Sequence, residues 1–338
     1  MKENPSALVR TDRKEQKGRS IMKKPLIILT GPTAVGKTEL SLRLAKQVNG
    51  AVISADSMQV YKYMDIGSAK ITPAQMQGIK HYLIDEFLPD EEFNVVRFQQ
   101  YAKKYMQEIY ANGQIPILAG GTGFYIQAVL YDIDFSSQEA DGAYRKQLEE
   151  LARCHGPAYL HEMLAKVDPA SAQAIHANNQ KRVIRALEFF QLTGARISEH
   201  NDRERQKQSP YCAAYFVLND KRERLYERID RRVDEMLARG LVQEVRRLRE
   251  MGYGKELVSM QGLGYKELFP YFDGACTLAE AAALIKRDTR HFAKRQLTWF
   301  RREKDVIWVN KDEFSYDNDK ILSYMNAILK EKGIMDRQ

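Results

Sequence analysis

Short apolar runs and segments of helical periodicity alternate along the first half of the chain. The apolar runs, typical of buried parallel strands, are PLIILT (25–30), AVISAD (51–56), HYLID (81–85) and the run that ends at Gly120. ELSLRLAKQV (39–48) and FNVVRFQQYAKKYMQEIYANG (93–113) place apolar residues at helical spacing between them. This alternation predicts an α/β fold with a doubly wound parallel sheet, whose ligands gather at the C-terminal ends of the strands.

The pattern changes between residues 135 and 210, which are charged and helical with little strand signal. We interpret this segment as a mostly helical insertion domain or lid, because the strand-like run AAYFVLN (213–219) follows it. The predicted domains are a disordered basic tail (1–24), a core (25–134 and 211–315), the insertion (135–210) and a C-terminal helical tail (316–338). Met22 is a candidate natural start, since it directly precedes the first strand.

One late segment, LAEAAALIKRDTRHFAKRQLTWFRREK (278–304), predicts an amphipathic helix. Its apolar face carries Ala281, Ile285, Phe292 and Trp299. Its opposite face carries Arg287, Arg290, Lys294 and Arg301, with no acid expected among them. A solvated charged face is one interpretation. A phosphate-facing surface for nucleic acid is the other, and a net charge of +8 favours it.

A glycine-rich loop supplies the first candidate chemistry. LTGPTAVGKTELS (29–41) contains Gly31, four residues, then Gly36-Lys37-Thr38, the pattern of a phosphate-binding loop, here between a predicted strand and helix. Backbone N–H groups and the helix N-terminus attract the anion, Lys37 adds a positive charge, and the Thr38 hydroxyl is placed to ligate Mg²⁺. ATP or GTP is the usual ligand, but the pattern specifies only phosphate.

Further candidates stand at the other strand ends. Asp56 follows the second strand and could act as a general base, order Mg²⁺ through water, or cap the next turn. Gly120-Gly121-Thr122-Gly123 could be a tight turn or a platform for close approach of a ligand. With the Thr33 hydroxyl, these parts suit phosphoryl transfer to a small alcohol or displacement of a diphosphate by a nucleophile.

Composition narrows the class of protein. Three widely spaced cysteines indicate neither a disulfide framework nor a zinc site, which suits a reducing cytoplasm. No apolar run approaches the roughly 20 residues that span a bilayer, and the N-terminus lacks the apolar region of a signal peptide. We therefore expect a cytoplasmic protein without membrane contact, and a monomer.

Seven blocks together resemble the bacterial tRNA dimethylallyltransferases (tRNA isopentenyltransferases). In order they are GPTAVGKTELS, ADSMQVYKYMDIGSAK, ILAGGTGFYIQA, RVIRALE, LYERIDRRVDEM, GLGYKEL and TRHFAKRQLTWFR, and the resemblance runs from about residue 24 to about residue 309. Tyr82 replaces a histidine that is usual in the family, and Ala177 and Asn179 replace proline and aspartate. These departures lie outside the predicted catalytic blocks and concern local packing or tRNA contacts.

The resemblance implies a P-loop NTPase-like fold and transfer of a dimethylallyl group from dimethylallyl diphosphate to the exocyclic amine of the adenosine 3′ of the tRNA anticodon. It implies Asp56 as general base, Thr33 as donor to the bridging oxygen, Lys37 and Mg²⁺ (ligated by Thr38) as neutralising charges, and Arg228 as a second diphosphate cation. The diphosphate-binding residues would be Gly31, Pro32, Thr33, Ala34, Val35, Gly36, Lys37 and Thr38.

The tRNA contacts that the resemblance implies are spread along the chain, and Gly262–Glu267 is a further candidate segment. They are Asp56, Ser57, Met58, Gln59, Thr122, Arg145, Gln180, Lys181, Arg182, Val183 and Ile184. The basic face adds Arg287, Arg290 and Lys294.

Three rival functions use parts of the same pattern. A P-loop kinase for a small alcohol explains the loop and Asp56 but leaves the basic helix and the insertion without a role. Adenylate isopentenyltransferase performs the same chemistry on a free nucleotide and needs no basic face. A non-enzymatic RNA-binding ATPase is disfavoured, since no apolar run ends in tandem acids.

Overall fold

The computed structural model describes residues 23–135 and 142–335. Most of the predicted N-terminal tail (residues 1–22) therefore lies outside the described residues. No helix within the described ranges is long and apolar enough to cross a membrane.

The centre of the fold is a parallel sheet of six strands in the order β3-β2-β4-β1-β5-β6. The strands are β1 (Lys24–Thr30), β2 (Gly50–Ala55), β3 (His81–Tyr82), β4 (Ile115–Gly120), β5 (Tyr211–Asn219) and β6 (Val306–Asn310). Leu26 and Ile28 of β1 pack on one face of the sheet, whereas Ile27 and Leu29 pack on the other. Both faces are covered by helices, so the predicted doubly wound α/β fold is confirmed.

Helices connect the strands and cover the sheet. They are α1 (Lys37–Gln47), α2 (Pro73–Met76), α3 (Val95–Ala111), α4 (Gly123–Leu130), α5 (Gly142–His155), α6 (Pro157–Val167), α7 (Pro169–Ala174), α8 (Gln180–Thr193), α9 (Ile197–Gln206), α10 (Arg222–Ala238), α11 (Leu241–Glu250), α12 (Phe269–Phe272), α13 (Leu278–Phe300) and α14 (Asn318–Glu331). Helix α13 begins at a capping box, in which Thr277 and Glu280 satisfy each other's backbone N–H groups. It is the late helix predicted from its periodicity.

Helices α5 to α8 enclose a hydrophobic cluster of their own, which includes Leu148, Leu160, Leu164 and Val183. Helix α9 is a polar segment in which sequence reasoning placed no element. Asp168, which is 1% exposed, accepts hydrogen bonds from the N–H of Ser171 and the N–H of Ser198, both at 3.0 Å. One buried carboxylate therefore fixes the first turns of both α7 and α9.

Two C-terminal elements join the core. Strand β6, which the sequence pattern did not reveal, pairs with β5 at the edge of the sheet. Helix α14, predicted as part of a C-terminal tail, buries Ile321, Met325 and Leu329 in the cluster that also contains Leu40 and Leu44 of α1. The last described residues thus cover one face of the sheet.

Candidate active site

The loop between β1 and α1 has the backbone shape of an anion cradle. Gly31 and Gly36 have φ of 144° and 104°, in the region that favours glycine. A Cβ on Gly31 would lie 2.4 Å from the carbonyl oxygen of Leu218 on β5, so the loop passes flush against that strand. No described side chain caps the N-terminus of α1, which leaves its first N–H groups open to an anion.

Two predicted cations are held by the loop's own carbonyl groups. Lys37 Nζ donates to the carbonyl oxygens of Gly31 at 3.0 Å and Pro32 at 2.9 Å. Arg228 Nε, from α10, donates to the carbonyl oxygen of Ala34 at 2.7 Å. Both positive charges are therefore held at the loop, and neither forms an ion pair with an acid in the part of the chain that the structure describes.

Two further cations were not singled out from the sequence. Lys311, in the turn after β6, is 8% exposed, and its Nζ donates to the carbonyl oxygen of Val35 at 3.3 Å. A Cβ on Gly36 would lie 3.2 Å from that Nζ and 3.5 Å from Nη2 of Arg228, so the two cations flank the loop. Arg232, one helical turn beyond Arg228, lines the adjoining cavity.

Burial and repulsion by neighbouring cations lower the pKa values of Lys37, Lys311 and Arg232. Burial, reinforced by the positive charge of Arg232, lowers the pKa of Lys37 to about 7, despite attraction by Asp56. Burial also lowers the pKa of Lys311, and the charge of Arg228 adds to that effect. Burial lowers the pKa of Arg232. A bound polyanion would reverse these costs, because it would supply the missing negative charge.

A cavity of about 310 Å³ opens beside the loop. Thr33 and Ala34 line one side, Asp56 and Thr122 another, and α10 and α13 contribute apolar side chains. Asp56 is the only carboxylate that lines it among the described residues. Its Oδ1 accepts hydrogen bonds from the N–H of Met58 at 2.8 Å and of Gln59 at 3.4 Å. Asp56 therefore both caps the following turn and lines the cavity.

The segment 65–69 forms a further wall of the cavity through Gly67, Ser68 and Ala69, and hydrogen bonds to α11 hold it in place. Glu244 of α11 accepts hydrogen bonds from the N–H groups of residues 65, 66 and 67 at 2.9, 2.7 and 3.0 Å. The hydroxyl of Tyr265 also donates to Glu244, at 2.8 Å. The GLGYKEL block therefore shapes this wall from behind, although Gly262, Leu263, Gly264 and Lys266 also line the cavity.

Side chains of the DSMQ block divide between cavity and support. Ser57 and Met58 line the cavity together with Asp56. Gln59 instead turns inward: its Oε1 accepts from Ser54 Oγ at 3.1 Å, and its Nε2 lies 3.4 Å from the carbonyl oxygens of Ser68 and Ala69. Gln59 therefore joins β2 to the wall that the segment 65–69 forms.

The insertion carries the other predicted tRNA contacts. Gln180, Lys181 and Arg182 are exposed at the N-terminus of α8. Val183 is fully buried and Ile184 is 5% exposed, both within the insertion's hydrophobic cluster. Apolar packing takes these two side chains inside the insertion, and contact of this segment with tRNA stays a prediction.

Arg145, also predicted to meet tRNA, is held within the insertion. Its Nε and Nη2 donate to the two carboxylate oxygens of Glu188 at 2.9 and 2.6 Å. Glu188 is 1% exposed, whereas about half of the Arg145 side chain is exposed. The guanidinium therefore neutralises a buried acid from the surface of the insertion.

The basic face of α13 is less uniform than its sequence pattern suggested. Arg287 pairs with Asp288 at 2.8 Å, and Arg290 pairs with Asp230 of α10 at 2.5 Å. The expectation of a face without acids is wrong, because one acid is a helix neighbour and the other comes from a different helix. Lys294 and Arg301 are exposed and form no ion pair with a described residue.

Within the described ranges, no group of three or more His, Cys, Asp or Glu side chains is arranged to hold a metal ion. Thr38 lies in the first turn of α1, next to Lys37. A metal at this loop would thus need ligands from a bound phosphate as well as from the protein.

Comparison with known proteins identifies the family of this chain. The family model described as IPP transferase matches residues 59–303. The chain belongs to the IPP transferase family. It is 62% identical to the tRNA dimethylallyltransferase of Lachnoclostridium phytofermentans over 311 residues, which are 92% of this chain and 99% of that protein. It is 50% identical to the enzyme of the same name from Acetivibrio thermocellus, over 91% of this chain and 98% of that one.

Solved structures of this family share the fold. The full-length tRNA isopentenylpyrophosphate transferase of Bacillus halodurans is 44% identical, with a TM-score of 0.69 over 92% of this chain and 98% of its own. A eukaryotic dimethylallyltransferase, described as acting on tRNA, is 30% identical, with a TM-score of 0.75 over 85% of this chain and 74% of its own. The resemblance found in the seven sequence blocks is confirmed, and with it the transferase class.

Sequence reasoning missed Arg232 and Lys311 for different reasons. Arg232 stands in the LYERIDRRVDEM block four residues after Arg228. Helical spacing places both on one face, so it could have identified Arg232 as a second cation near the loop. Lys311 lies beyond the range that the family model matches and follows the strand that was not predicted. Only the pairing of β6 with β5 brings Lys311 to the phosphate loop.

Proposed function

We propose that this protein transfers a dimethylallyl group from dimethylallyl diphosphate to the exocyclic amine of the adenosine 3′ of the tRNA anticodon. The observation that carries the proposal is the cavity in which Asp56, the one carboxylate that lines it among residues 23–135 and 142–335, faces a cation-lined phosphate loop. A relative that is 62% identical over 92% of this chain bears the corresponding enzyme name.

The diphosphate of the donor binds at residues 31–38, where backbone N–H groups, Lys37 and Arg228 surround it. As the bond between the allylic carbon and the diphosphate oxygen breaks, its electron pair leaves with the oxygen. Thr33 donates to that oxygen, and Arg232 and Lys311 add positive charge from the adjoining elements. Such preorganised charges stabilise a leaving anion more than water does, because they need no reorganisation.

The amine nitrogen of adenine attacks the allylic carbon and becomes acidic as it does so. Asp56 takes the proton, so the products are the alkylated amine and diphosphate. A base within hydrogen-bond reach contributes roughly 10² to 10⁴-fold to such a step. Met58 and Gln59 fix Asp56 through their N–H groups, which holds its Oδ1 in place while Oδ2 is available to the substrate.

Mg²⁺ fits the donor set at the loop. A hydroxyl oxygen from Thr38 and diphosphate oxygens are ligands of the hard type that Mg²⁺ prefers, and the ion usually keeps several waters. When bound, it would neutralise part of the developing charge on the leaving group. In that arrangement the ion would need no protein ligand besides Thr38.

The cavity also fits the rest of the donor. Ile229, Val233 and Met236 of α10 and Ile285 and Phe292 of α13 give it apolar walls. A five-carbon allylic chain buried there gains the transfer free energy of its methyl and methylene groups. These walls also keep water away from an electrophilic carbon.

The tRNA approaches across α13 and the insertion. The target base must leave its stack to reach Asp56, at a cost of a few kcal/mol that contacts in the cavity offset. Lys294, Arg301 and the exposed N-terminus of α8 offer charge and hydrogen-bond donors to phosphates. We also propose that the protein acts in the cytoplasm as a monomer, in keeping with the three free cysteines.

Incubation with labelled dimethylallyl diphosphate, Mg²⁺ and unmodified tRNA tests the proposal. We expect label in tRNA at the adenosine 3′ of the anticodon, and none in AMP. Label in AMP alone would identify a nucleotide prenyltransferase, and labelled phosphate passing from ATP to a small alcohol would identify a kinase. Either result would overturn the proposal.

A further inference from the structure

Helix α13 reaches from the cavity to the phosphate loop through one buried side chain, Gln296. Gln296 is 6% exposed. Its Oε1 accepts a hydrogen bond from the N–H of Thr33 at 2.9 Å, and its Nε2 donates to the carbonyl oxygen of Gly121 at 2.9 Å. These partners fix the orientation of the amide, because the N–H needs an acceptor and the carbonyl needs a donor.

The glycines of the GGTG turn make room for this helix. A Cβ on Gly121 would lie 2.1 Å from Nε2 of Gln296, and a Cβ on Gly123 would lie 2.3 Å from the indole ring of Trp299. Gln296 and Trp299 stand three residues apart on the same face of α13. The glycines therefore let the helix lie against the turn and bring the Gln296 amide between two loops.

Each loop that Gln296 joins serves a different substrate in the proposed reaction. Thr33 belongs to the diphosphate side, and Gly121 precedes Thr122, which lines the cavity on the acceptor side. The same helix contributes Ile285 and Phe292 to the cavity and Lys294 to the proposed tRNA surface. One side chain thus spans the donor loop, the acceptor loop and the helix that faces RNA.

We infer that Gln296 is a positioning residue that sets the Thr33 hydroxyl against the leaving oxygen and ties that geometry to α13. This inference rests on the proposed function. Gln296 touches neither substrate in this role and acts through Thr33. Its loss should therefore lower the rate of transfer while affinity for tRNA and for dimethylallyl diphosphate stays nearly constant.

A double-mutant cycle between Gln296→Met and Thr33→Val tests the inference, since each change preserves volume and removes hydrogen-bonding groups. Transfer is measured in single turnovers with both substrates saturating, and tRNA binding is measured separately. We expect Gln296→Met to slow transfer roughly 10- to 100-fold, as for a buried polar group left unpaired. In the Thr33→Val background the same change should slow it less than about threefold.

The matched control is Gln107→Met, an exposed glutamine on α3, which should leave the rate unchanged. If Gln296→Met does not fold, Gly121→Ala takes its place in the experiment. The new Cβ would push the Gln296 amide away from the turn, although residue 296 would still be glutamine. Equal factors in both Thr33 backgrounds, or a loss confined to tRNA affinity, would overturn the inference. A wild-type protein that does not prenylate tRNA would instead overturn the proposed function.

Discussion

The fold treats its positive charges differently around the phosphate loop and in the insertion. At the loop, Lys311 is buried and Lys37 and Arg232 are partly buried, and none of the three forms an ion pair with a described acid. In the insertion, Arg145 and Arg153 both form bidentate pairs with glutamates.

Burying an unpaired charge is costly, so a fold that keeps several together gains little from them without an anion. Paired cations need no further partner, and Arg145 contributes to the stability of the insertion because it neutralises the buried Glu188. The difference indicates that the loop is built for a polyanionic ligand, whereas several insertion cations are already used by the fold. Basic residues counted from sequence do not reveal this distinction.

The largest expected effect comes from the acid that faces the loop cations. Asp56→Asn should lower the rate of transfer roughly 10² to 10⁴-fold, because the base is lost while the turn cap can persist through the amide oxygen. Affinity for tRNA should stay within about threefold. Single-turnover transfer and a binding titration measure the two quantities, with the exposed Asp90→Asn as control. A variant that keeps substantial activity would remove Asp56 as the base.

Next in size is the insertion pair. Arg145→Met should lower the free energy of unfolding by about 2 kcal/mol, because Glu188 is left buried without its partner. Urea denaturation measures this loss, and adding Glu188→Gln should restore part of it. Unchanged stability combined with weaker tRNA binding would instead show that Arg145 serves the RNA, as the family resemblance implies.

A smaller effect is expected behind the loop. Lys311→Met should weaken binding of dimethylallyl diphosphate about tenfold, since one nearby positive charge is lost. The ligand-free protein should melt at the same or a higher temperature, because an unpaired buried cation has been removed. Calorimetric titration and thermal melts test both parts, with the exposed Lys332→Met as control. Undiminished affinity would mean that Lys311 only supports the loop backbone.

The smallest effect concerns the basic face of α13. Lys294→Ala should reduce the slope of log affinity for tRNA against log salt by about 1, as expected when one phosphate contact is lost. Arg290→Ala should change the slope less, because Asp230 already neutralises that guanidinium. Binding titrations at several salt concentrations compare the two. Equal changes in slope would show that RNA displaces Asp230.

Local pattern was sufficient for much of the fold. Apolar runs predicted β1, β2, β4 and β5 to within a few residues, and periodicity predicted α1, α3 and α13. Strand β6 was not predicted because it is short and only Val309 within it is buried. Helix α9 was not predicted because it is polar, and because its first turn depends on a hydrogen bond from Ser198 to Asp168, thirty residues earlier.

The sequence by itself determined the family and the local chemistry, since the P-loop spacing and the DSMQ block lie within contiguous segments. Only the tertiary structure decided which charges are free. Glu188 pairs with Arg145, which lies 43 residues away along the chain, and Asp230 pairs with Arg290, which lies 60 residues away. Likewise, Lys311 and Gln296 reach the loop from 276 and 263 residues away. Such contacts depend on how helices and strands pack, and packing has no short-range signature in sequence.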